Sequence, residues 1–223
     1  MIDVRDTKLK AFADGYHRPL DDQLGELRQL NEKEKVPLIM TETEGILRLL
    51  LELIKPERIL ELGTAHGYSA LFFAKLLPGA FITTIERNPA MIEYAEKNIS
   101  SFAEGSRIEL RTGDAAEILK GLEDELSADK DCKAFDFVFI DAGKSHYREF
   151  FEAAERISTE NAVIVCDNIL MKGWIVEPEG KSAKRHRTSI KYMHRFLDYL
   201  YSREDLEVTL LTGGDGLAII RHK

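Results

Sequence analysis

Two apolar segments that end in acidic residues constrain the fold of this chain most. Residues 137–140 read FVFI and are followed by Asp141, and residues 163–166 read VIVC and are followed by Asp167 and Asn168. Continuous apolar runs of this length are typical of parallel strands that are buried on both faces. Because ligands in open α/β sheets bind beyond the carboxyl ends of such strands, we expect the three polar residues to lie at one functional edge.

The rest of the chain alternates between strand-like and helix-like patterns. Strand-like runs occur at 58–62, 81–86, 107–111, 135–141, 161–166, 206–212 and 216–221. Helical patterns lie at 42–54, 68–77, 89–100, 114–122, 147–157 and 188–202. The last two strands are joined by a short glycine-rich link, which makes a hairpin and not a parallel crossover. We therefore predict a Rossmann-like, doubly wound, mostly parallel seven-stranded α/β sheet with an antiparallel C-terminal hairpin strand.

Composition limits the class of protein. A length of 223 residues fits one α/β domain, 1–223, and a formal charge of -8 argues against a protein that is basic throughout. Cys132 and Cys166 have no Cys-x-x-Cys spacing, so reduced thiols are expected. No apolar run approaches the roughly 20 residues that span a bilayer. These features predict a soluble, cytoplasmic protein.

The first strand leads into a loop that has the form of a nucleotide-binding turn. Gly63 and Gly67 permit tight turning, and a helix that begins near Tyr68 offers free N–H groups to an anionic group. The Gly-x-x-x-Gly spacing differs from the Gly-x-Gly-x-x-Gly fingerprint of dinucleotide-binding proteins. Nicotinamide and flavin cofactors are therefore disfavoured.

Two further strand ends carry groups that suit a nucleoside. Glu86 ends the second strand, where a carboxylate can accept hydrogen bonds from both ribose hydroxyls. Asp114 follows the third strand and is placed to meet an adenine ring. Each residue alone is equally compatible with an ordinary solvated acid, but in this order they favour a nucleoside ligand.

The side chains after the two apolar segments offer only oxygen atoms. Asp141, Asp167 and Asn168 suit magnesium, manganese or calcium better than zinc. A single aspartate at a strand end is often a helix cap. Two such ends with an adjacent asparagine favour a cation, because like charges that are brought together need one to offset their repulsion.

Taken together, these motifs resemble the metal-dependent class I O-methyltransferases, the group that includes catechol and caffeoyl-CoA methyltransferases. The resemblance runs from about Val36 to the C-terminus and rests on residues 61–69, 85–88, 139–144, 167–168 and 214–217. It implies S-adenosylmethionine as the cofactor and a divalent cation at Asp141, Asp167 and Asn168. The cofactor-binding residues that it implies are Met40, Gly63, Thr64, Gly67, Ser69, Glu86, Arg87, Asp114, Ala115 and Asp141. Residues 1–54 would form a lid or a homodimer contact, and residues 55–223 the Rossmann-like core.

Methyl transfer to oxygen requires an oxyanion in line with the sulfur–methyl bond. A cation on the acidic strand ends can bind the acceptor oxygen and lower its pKa. Lys144, three residues after Asp141, would lie at the same mouth and could accept the proton. The predicted catalytic residues are therefore Lys144 and Asp141, with a solvated lysine at a helix start as the alternative for Lys144.

Within this group, the segments at 36–37, 139–147, 167–173 and 184–187 most resemble the enzymes that methylate the 5-hydroxyl of a wobble uridine in tRNA, although Gly143 and Trp174 depart from that pattern. Between positions 180 and 197 there are six basic and no acidic residues. A basic stripe of Lys184, Arg187, Lys191 and Arg195 on one helix face could follow phosphates, and Lys172 and Arg185 complete the predicted RNA-binding set. The anticodon region of tRNA is thus the leading predicted partner. The alternatives are a catechol-like or phenolic small molecule and an ordinary solvated helix face.

Overall fold

The computed structural model describes residues 7–129, 132–176 and 184–223. Its strands are β1 (Arg58–Leu62), β2 (Phe81–Glu86), β3 (Ile108–Thr112), β4 (Phe135–Ile140), β5 (Ser158–Asp167), β6 (Leu206–Leu211) and β7 (Leu217–His222). Its α-helices are α1 (Thr7–Asp14), α2 (Asp22–Glu34), α3 (Thr41–Ile54), α4 (Tyr68–Leu76), α5 (Pro89–Ser101), α6 (Ala115–Ala128), α7 (Tyr147–Arg156) and α8 (Arg187–Ser202).

All seven strands form one sheet in the order β3-β2-β1-β4-β5-β7-β6. The five strands from β3 to β5 are parallel, and β7 lies antiparallel between β5 and β6. This arrangement confirms the predicted doubly wound sheet and its C-terminal hairpin. Strand order reverses between β1 and β4, and the crevice beyond their carboxyl ends is where such sheets bind ligands.

Helices cover both faces of the sheet, and the central strand β4 shows why its sequence is continuously apolar. Phe137 and Phe139 pack into the cluster formed with α2, α3 and α4. Val138 and Ile140 pack into the cluster formed with α6, α7 and α8. Since successive side chains in a strand point to opposite faces, a strand covered on both sides needs an apolar residue at every position.

The observed boundaries differ from the sequence predictions at a few places. Helix α1 was not predicted, because its segment is polar and short. Helix α6 continues past 122 to Ala128, and Leu126 extends its packing against the core. Strand β5 begins at Ser158, where an irregular register with β4 adds a pairing to Phe135.

The loose stretch that the sequence indicates at 180–183 lies outside the described residues. Within the described residues, no helix combines the length and the apolar character needed to cross a bilayer.

Candidate active site

The cofactor loop, residues 63–67, leaves β1 in direct contact with the end of β4. Gly63 has φ +103, and a Cβ atom there would lie 2.0 Å from the carbonyl oxygen of Asp141. The backbone N–H of Asp141 in turn donates to the carbonyl oxygen of Leu62 at 2.9 Å. Only glycine permits this approach, so the loop and Asp141 are neighbours because residue 63 has no side chain.

The N-terminus of α4 follows the cofactor loop at once. Its N-cap residue is Gly67, with φ +83, which brings no side chain to the first-turn N–H groups. Thr64 and Ser69 are both buried, and the Thr64 hydroxyl is hydrogen-bonded to that of Thr84 at 2.6 Å. A helix start of this kind leaves N–H groups and the positive end of the helix dipole for an anionic ligand group.

Glu86 lies at the end of β2, beside the cofactor loop. Its Oε2 accepts from the N–H of Ala65 at 3.0 Å, and its Oε1 accepts from the N–H groups of Arg87 and Asn88 at 2.9 and 2.8 Å. A carboxylate has about four acceptor positions, so three amides orient it and leave capacity for a further donor.

The end of β3 lies next to Glu86. The N–H of Gly113 donates to the carbonyl oxygen of Glu86 at 2.9 Å. Asp114 caps α6 by accepting from the N–H of Ala116 at 3.0 Å, and Ala115 is the first residue of that helix. Arg87 and Asp114 form an exposed pair at 3.8 Å. The structure therefore brings Glu86, Arg87, Asp114 and Ala115 to one edge.

The acceptor cluster, which we define as Asp141, Lys144, Asp167 and Asn168, forms beyond β4 and β5. Asp141 Oδ1 accepts from Lys144 Nζ and from Asn168 Nδ2, both at 3.0 Å. The N–H of Asn168 donates to Asp167 Oδ1 at 2.7 Å. The three predicted ligand residues and the predicted base thus meet at one point of the sheet edge.

The buried hydroxyl of Tyr147 links two members of this cluster. Lys144 Nζ donates to its hydroxyl at 2.6 Å, and that hydroxyl donates to the carbonyl oxygen of Asp167 at 2.7 Å. Burial, followed by the charge of Asp141, raises the pKa of Tyr147 well above its usual value, so the phenol remains protonated. Sequence analysis assigned Tyr147 no role, although its spacing of three residues from Lys144 was a usable signal.

The charges of the cluster favour a divalent cation. Asp167 is almost completely buried, and this burial, together with the charge of Asp141, raises the pKa of Asp167 well above its usual value. Lys144 supplies one positive charge to two neighbouring carboxylates. Two carboxylates that lie close together in a buried place repel each other, and a bound cation would offset this repulsion. Since Asp141, Asp167 and Asn168 offer oxygen atoms, the residues fit magnesium or a similar hard cation.

A second buried acid, which sequence analysis did not single out, lies under the cofactor loop. Glu61 on β1 is fully buried, and Thr84 Oγ1 donates to its Oε2 at 2.5 Å. Its Oε1 has no hydrogen-bond partner among the described residues. Burial is the main cause that raises the pKa of Glu61 to about 7, and the charges of Asp141 and Glu86 act in the same direction.

The N-terminal helices α2 and α3 are joined by a buried ion pair between Arg28 and Glu44, which contacts the start of α4. Tyr68, the first residue of α4, donates to Glu44 Oε2 at 2.8 Å and accepts from Arg28 Nε at 3.1 Å.

Met40 is the N-cap residue of α3 and lies beside Gly214. His66 stacks on Tyr94. The structure places Met40 near the β6–β7 link.

The basic stripe lies on the exposed face of α8 and just before it. The exposed basic residues there are Lys184, Arg185, Arg187, Lys191 and Arg195. The opposite face of α8 is buried through Ile190, Met193, Phe196 and Leu200. Lys172 is exposed in the turn after β5, and the structure gives no direct contact between it and the stripe.

Comparisons with known proteins agree with this geometry. A family model described as O-methyltransferase matches residues 16–223. Among curated relatives, the catechol O-methyltransferase of Niastella koreensis is 37% identical over 145 residues, which cover 62% of this chain and 63% of that protein. The chain therefore spans less than two thirds of that relative. Caffeoyl-CoA O-methyltransferase 2 of Zea mays is 30% identical over 209 residues, covering 90% of this chain and 76% of that protein.

Solved structures give the same result. The O-methyltransferase of Bacillus cereus in complex with SAH has a TM-score of 0.80 and 26% identity, covering 97% of this chain and 98% of that one. The O-methyltransferase TomG of Streptomyces achromogenes in complex with SAM also has a TM-score of 0.80 and 26% identity, with 97% and 96% covered. The family model covers nearly the whole chain, and the chain belongs to the O-methyltransferase family.

Proposed function

We propose that the protein is an S-adenosylmethionine-dependent, magnesium-dependent O-methyltransferase. The observation that carries this proposal is the contact between Gly63 of the cofactor loop and Asp141 of the acceptor cluster. A cofactor held by the loop and an acceptor held by the cluster would share one crevice. Such proximity is the main requirement for an in-line displacement.

The cofactor side of this proposal is supported by the two solved relatives whose complexes contain SAH and SAM. The free N–H groups of α4 would receive the carboxylate of the methionine part. Glu86, which its three amide donors already orient, would accept from the ribose hydroxyls. Asp114 and Ala115 would border the adenine, and Arg28, Glu44 and Tyr68 would hold residues 1–54 over the cofactor as a lid, with a homodimer contact as the alternative role.

On the acceptor side, Asp141, Asp167 and Asn168 would hold the cation, which supplies acidification of the acceptor hydroxyl when it is bound. Asp141 and Asn168 orient each other through their hydrogen bond. Lys144 Nζ lies 3.0 Å from Asp141 Oδ1. With the cation bound, Lys144 would first release its own proton to solvent, and the neutral amine would then receive the hydroxyl proton. Tyr147 keeps the amine in that direction.

The test of this assignment is the pair of variants Lys144→Met and Lys120→Met. Lys120 is an exposed lysine on α6 and serves as the matched control. Lys144→Met should lower kcat by about 100- to 10,000-fold, the range for a lost general base, while calorimetry shows unchanged affinity for S-adenosylmethionine. A kcat equal to that of the control would remove Lys144 from the mechanism.

The relatives' names favour a catechol-like or phenolic acceptor. A catechol presents two adjacent oxygens, and both could approach the cluster while one of them is methylated. Such a substrate needs only Asp141, Asp167, Asn168 and Lys144. Methyl transfer to a free catechol should therefore be insensitive to the basic stripe and to moderate salt.

A specific observation favours a second acceptor, the 5-hydroxyuridine of the tRNA wobble position, which would be converted to 5-methoxyuridine. In the part of the chain that the structure describes, Lys184, Arg187, Lys191 and Arg195 are exposed, and no ion pair neutralises them. Four such cations on α8 and just before it, in a chain of net charge -8, suit a polyanion.

The two acceptors are distinguished by the double variant Arg187→Ala with Lys191→Ala, with Lys97→Ala and Lys120→Ala as a double control outside the stripe. If tRNA is the acceptor, its KM should rise steeply with ionic strength and in the stripe variant, while catechol turnover is unchanged. Unaltered tRNA kinetics would eliminate the stripe as an RNA-binding surface. No methylation of hydroxyuridine-containing tRNA by the wild type would leave the phenolic acceptor.

A further inference from the structure

The hairpin loop, residues 212–216 between β6 and β7, is hydrogen-bonded to the turn that follows β5. The N–H of Ile169 donates to the carbonyl oxygen of Gly216 at 3.1 Å, and the N–H of Leu170 donates to that of Asp215 at 2.9 Å. A third bond comes from a side chain: Asp215 Oδ1 accepts from the N–H of Lys172 at 2.5 Å. The carboxylate therefore reaches out of its own loop to hold a neighbouring backbone segment.

That segment has an unfavourable backbone conformation. Asn168, Met171 and Lys172 have φ values of 60, 51 and 58. Residues with a side chain rarely adopt this left-handed region, and the conformation persists only where the surroundings impose it. The N–H of Lys172 points toward Asp215 in this conformation, so the hydrogen bond directly favours the left-handed turn.

The loop is itself immobilised by close packing on two sides. A Cβ atom at Gly216 would lie 2.3 Å from Leu170 Cγ, and one at Gly214 would lie 2.6 Å from Thr43 Oγ1 in α3. The loop is thus in contact with both the turn and the start of α3. A carboxylate on such a loop is a fixed point to which the turn can be attached.

We propose that Asp215 is a positioning residue for the acceptor cluster: its carboxylate holds the turn at 168–172 so that the Asn168 side chain meets Asp141. The 3.0 Å contact between Asn168 Nδ2 and Asp141 Oδ1 is the geometry that this attachment would preserve. The consequence for cation binding rests on the proposed function, whereas the attachment of the turn can be measured without it.

The first measurement is amide hydrogen exchange of residues 168–173 in the metal-free protein. Asp215→Ala should speed exchange of the Lys172 amide by on the order of tenfold, because a charge-assisted hydrogen bond is lost. Asp215→Asn retains an acceptor oxygen and should stay close to wild type. Asp198→Ala, at an exposed aspartate of α8, is the control. Equal exchange in the Ala variant and the wild type would overturn the proposal.

The second measurement is Mn²⁺ affinity by electron paramagnetic resonance. Asp215→Ala should weaken Mn²⁺ binding by about 10- to 100-fold, as expected when a group that orients a ligand is removed, with unchanged affinity for S-adenosylmethionine. Asp215→Asn should restore most of the loss, which a general loss of stability would not. If Asp215→Ala does not fold, Asp215→Ser, whose side chain is one atom shorter, replaces it.

The outcomes separate the two levels of inference. A wild type that binds no Mn²⁺ contradicts the proposed metal site, and the exchange experiment still decides whether Asp215 holds the turn. A wild type that binds Mn²⁺ with the same affinity as Asp215→Ala contradicts the role of Asp215 and leaves the proposed function intact.

Discussion

The two halves of the crevice are held in place in opposite ways. On the cofactor half, at the ends of β1, β2 and β3, polar side chains bind backbone amides, most of them close in sequence, although Glu86 also accepts from Ala65, 21 positions away. Glu86 accepts from the amides of the next two residues, and Asp114 caps the helix that it precedes. The carboxylates of exposed Asp114 and half-buried Glu86 both accept hydrogen bonds from backbone amides. Local backbone geometry therefore orients the cofactor half.

On the acceptor half, contacts between neighbours such as Asp141 and Lys144 are joined by contacts between residues distant in sequence, and negative charge is concentrated there. Asn168 reaches Asp141 across 27 positions, and Asp215 reaches Lys172 across 43. Asp167 is buried beside a second carboxylate, and its turn has left-handed residues. This half is costly to form without a cation, and the comparison teaches that its variants should affect binding of a cation and catalysis before they affect binding of the cofactor.

The largest expected effect comes from Asp167→Ala, or from Asp141→Ala, on the acceptor half. Methyl transfer should fall at least about 1,000-fold, equivalent to about 4 kcal/mol, because the cation loses a charged ligand. Affinity for S-adenosylmethionine, measured by calorimetry, should change little. Asp124→Ala, at an exposed aspartate of α6, is the control. Full activity of the wild type in excess chelator would contradict this division of roles.

Gly63→Ala should destabilise both halves of the crevice, because residue 63 is the point of contact between the cofactor loop and Asp141. Its Cβ atom would lie 2.0 Å from Asp141 O, so we expect a loss of about 4 kcal/mol in the free energy of unfolding, the size reserved for severe backbone clashes. The control is Gly121→Ala in α6, where nothing lies within 4 Å of the added atom. That variant should gain about 0.5–1 kcal/mol in urea titrations. Wild-type stability of Gly63→Ala would contradict the contact.

Glu61→Gln tests the buried acid of the cofactor half through pH. The pKa of Glu61 is raised from 4.5 to about 7, so the folded state binds its proton more tightly than the unfolded state. This contribution to stability is complete below about pH 4.5 and is lost as the pH rises through about 7, a change of roughly 3 kcal/mol. The variant has no charge to bury and should keep that stability.

The measurement for Glu61 is the free energy of unfolding at pH 4.5 and pH 8 by urea titration. The gap between Glu61→Gln and the wild type should widen in favour of the variant as the pH rises. Glu96→Gln, at an exposed position of α5, should leave the gap at zero. A gap that is the same at both pH values would show that folding does not raise the pKa of Glu61.

Glu86→Ala should have the smallest effect of the four and the one most confined to the cofactor half. Affinity for S-adenosylmethionine should fall by about 1.5–3 kcal/mol, the scale of lost hydrogen bonds to a charged group. Mn²⁺ affinity should be unchanged, and Glu93→Ala provides an exposed glutamate as control. Unchanged cofactor affinity in calorimetry would rule out a ribose-binding role for Glu86.

The fold was largely predictable from the sequence for a specific reason. Strands buried on both faces must be apolar at every position, so 137–140 and 163–166 were recognisable without any partner. The glycine-rich link between the last two strands was too short for a crossover and predicted the antiparallel strand. The polar helix α1 and the extension of α6 were missed, because their packing against other elements leaves little trace in local spacing.

On the cofactor half, the residues that could be predicted from the sequence are those whose contacts are local. Glu86 and Asp114 accept from amides of the residues that follow them, and residue type with position at a strand end was enough to single them out. The order of Asp141, Asp167 and Asn168 likewise indicated that three oxygen-bearing side chains would meet at one edge.

Only the tertiary structure decided which distant groups complete the acceptor half. Tyr147 acquires its role when α7 brings its hydroxyl between Lys144 and the carbonyl of Asp167. Glu61 acquires a raised pKa because β1 is covered on both sides. Asp215 acquires a partner only when the hairpin packs on the turn after β5. The physical reason is that strand ends are determined by local hydrophobicity, whereas burial of a charge and the direction of a side chain depend on what the whole sheet places next to it.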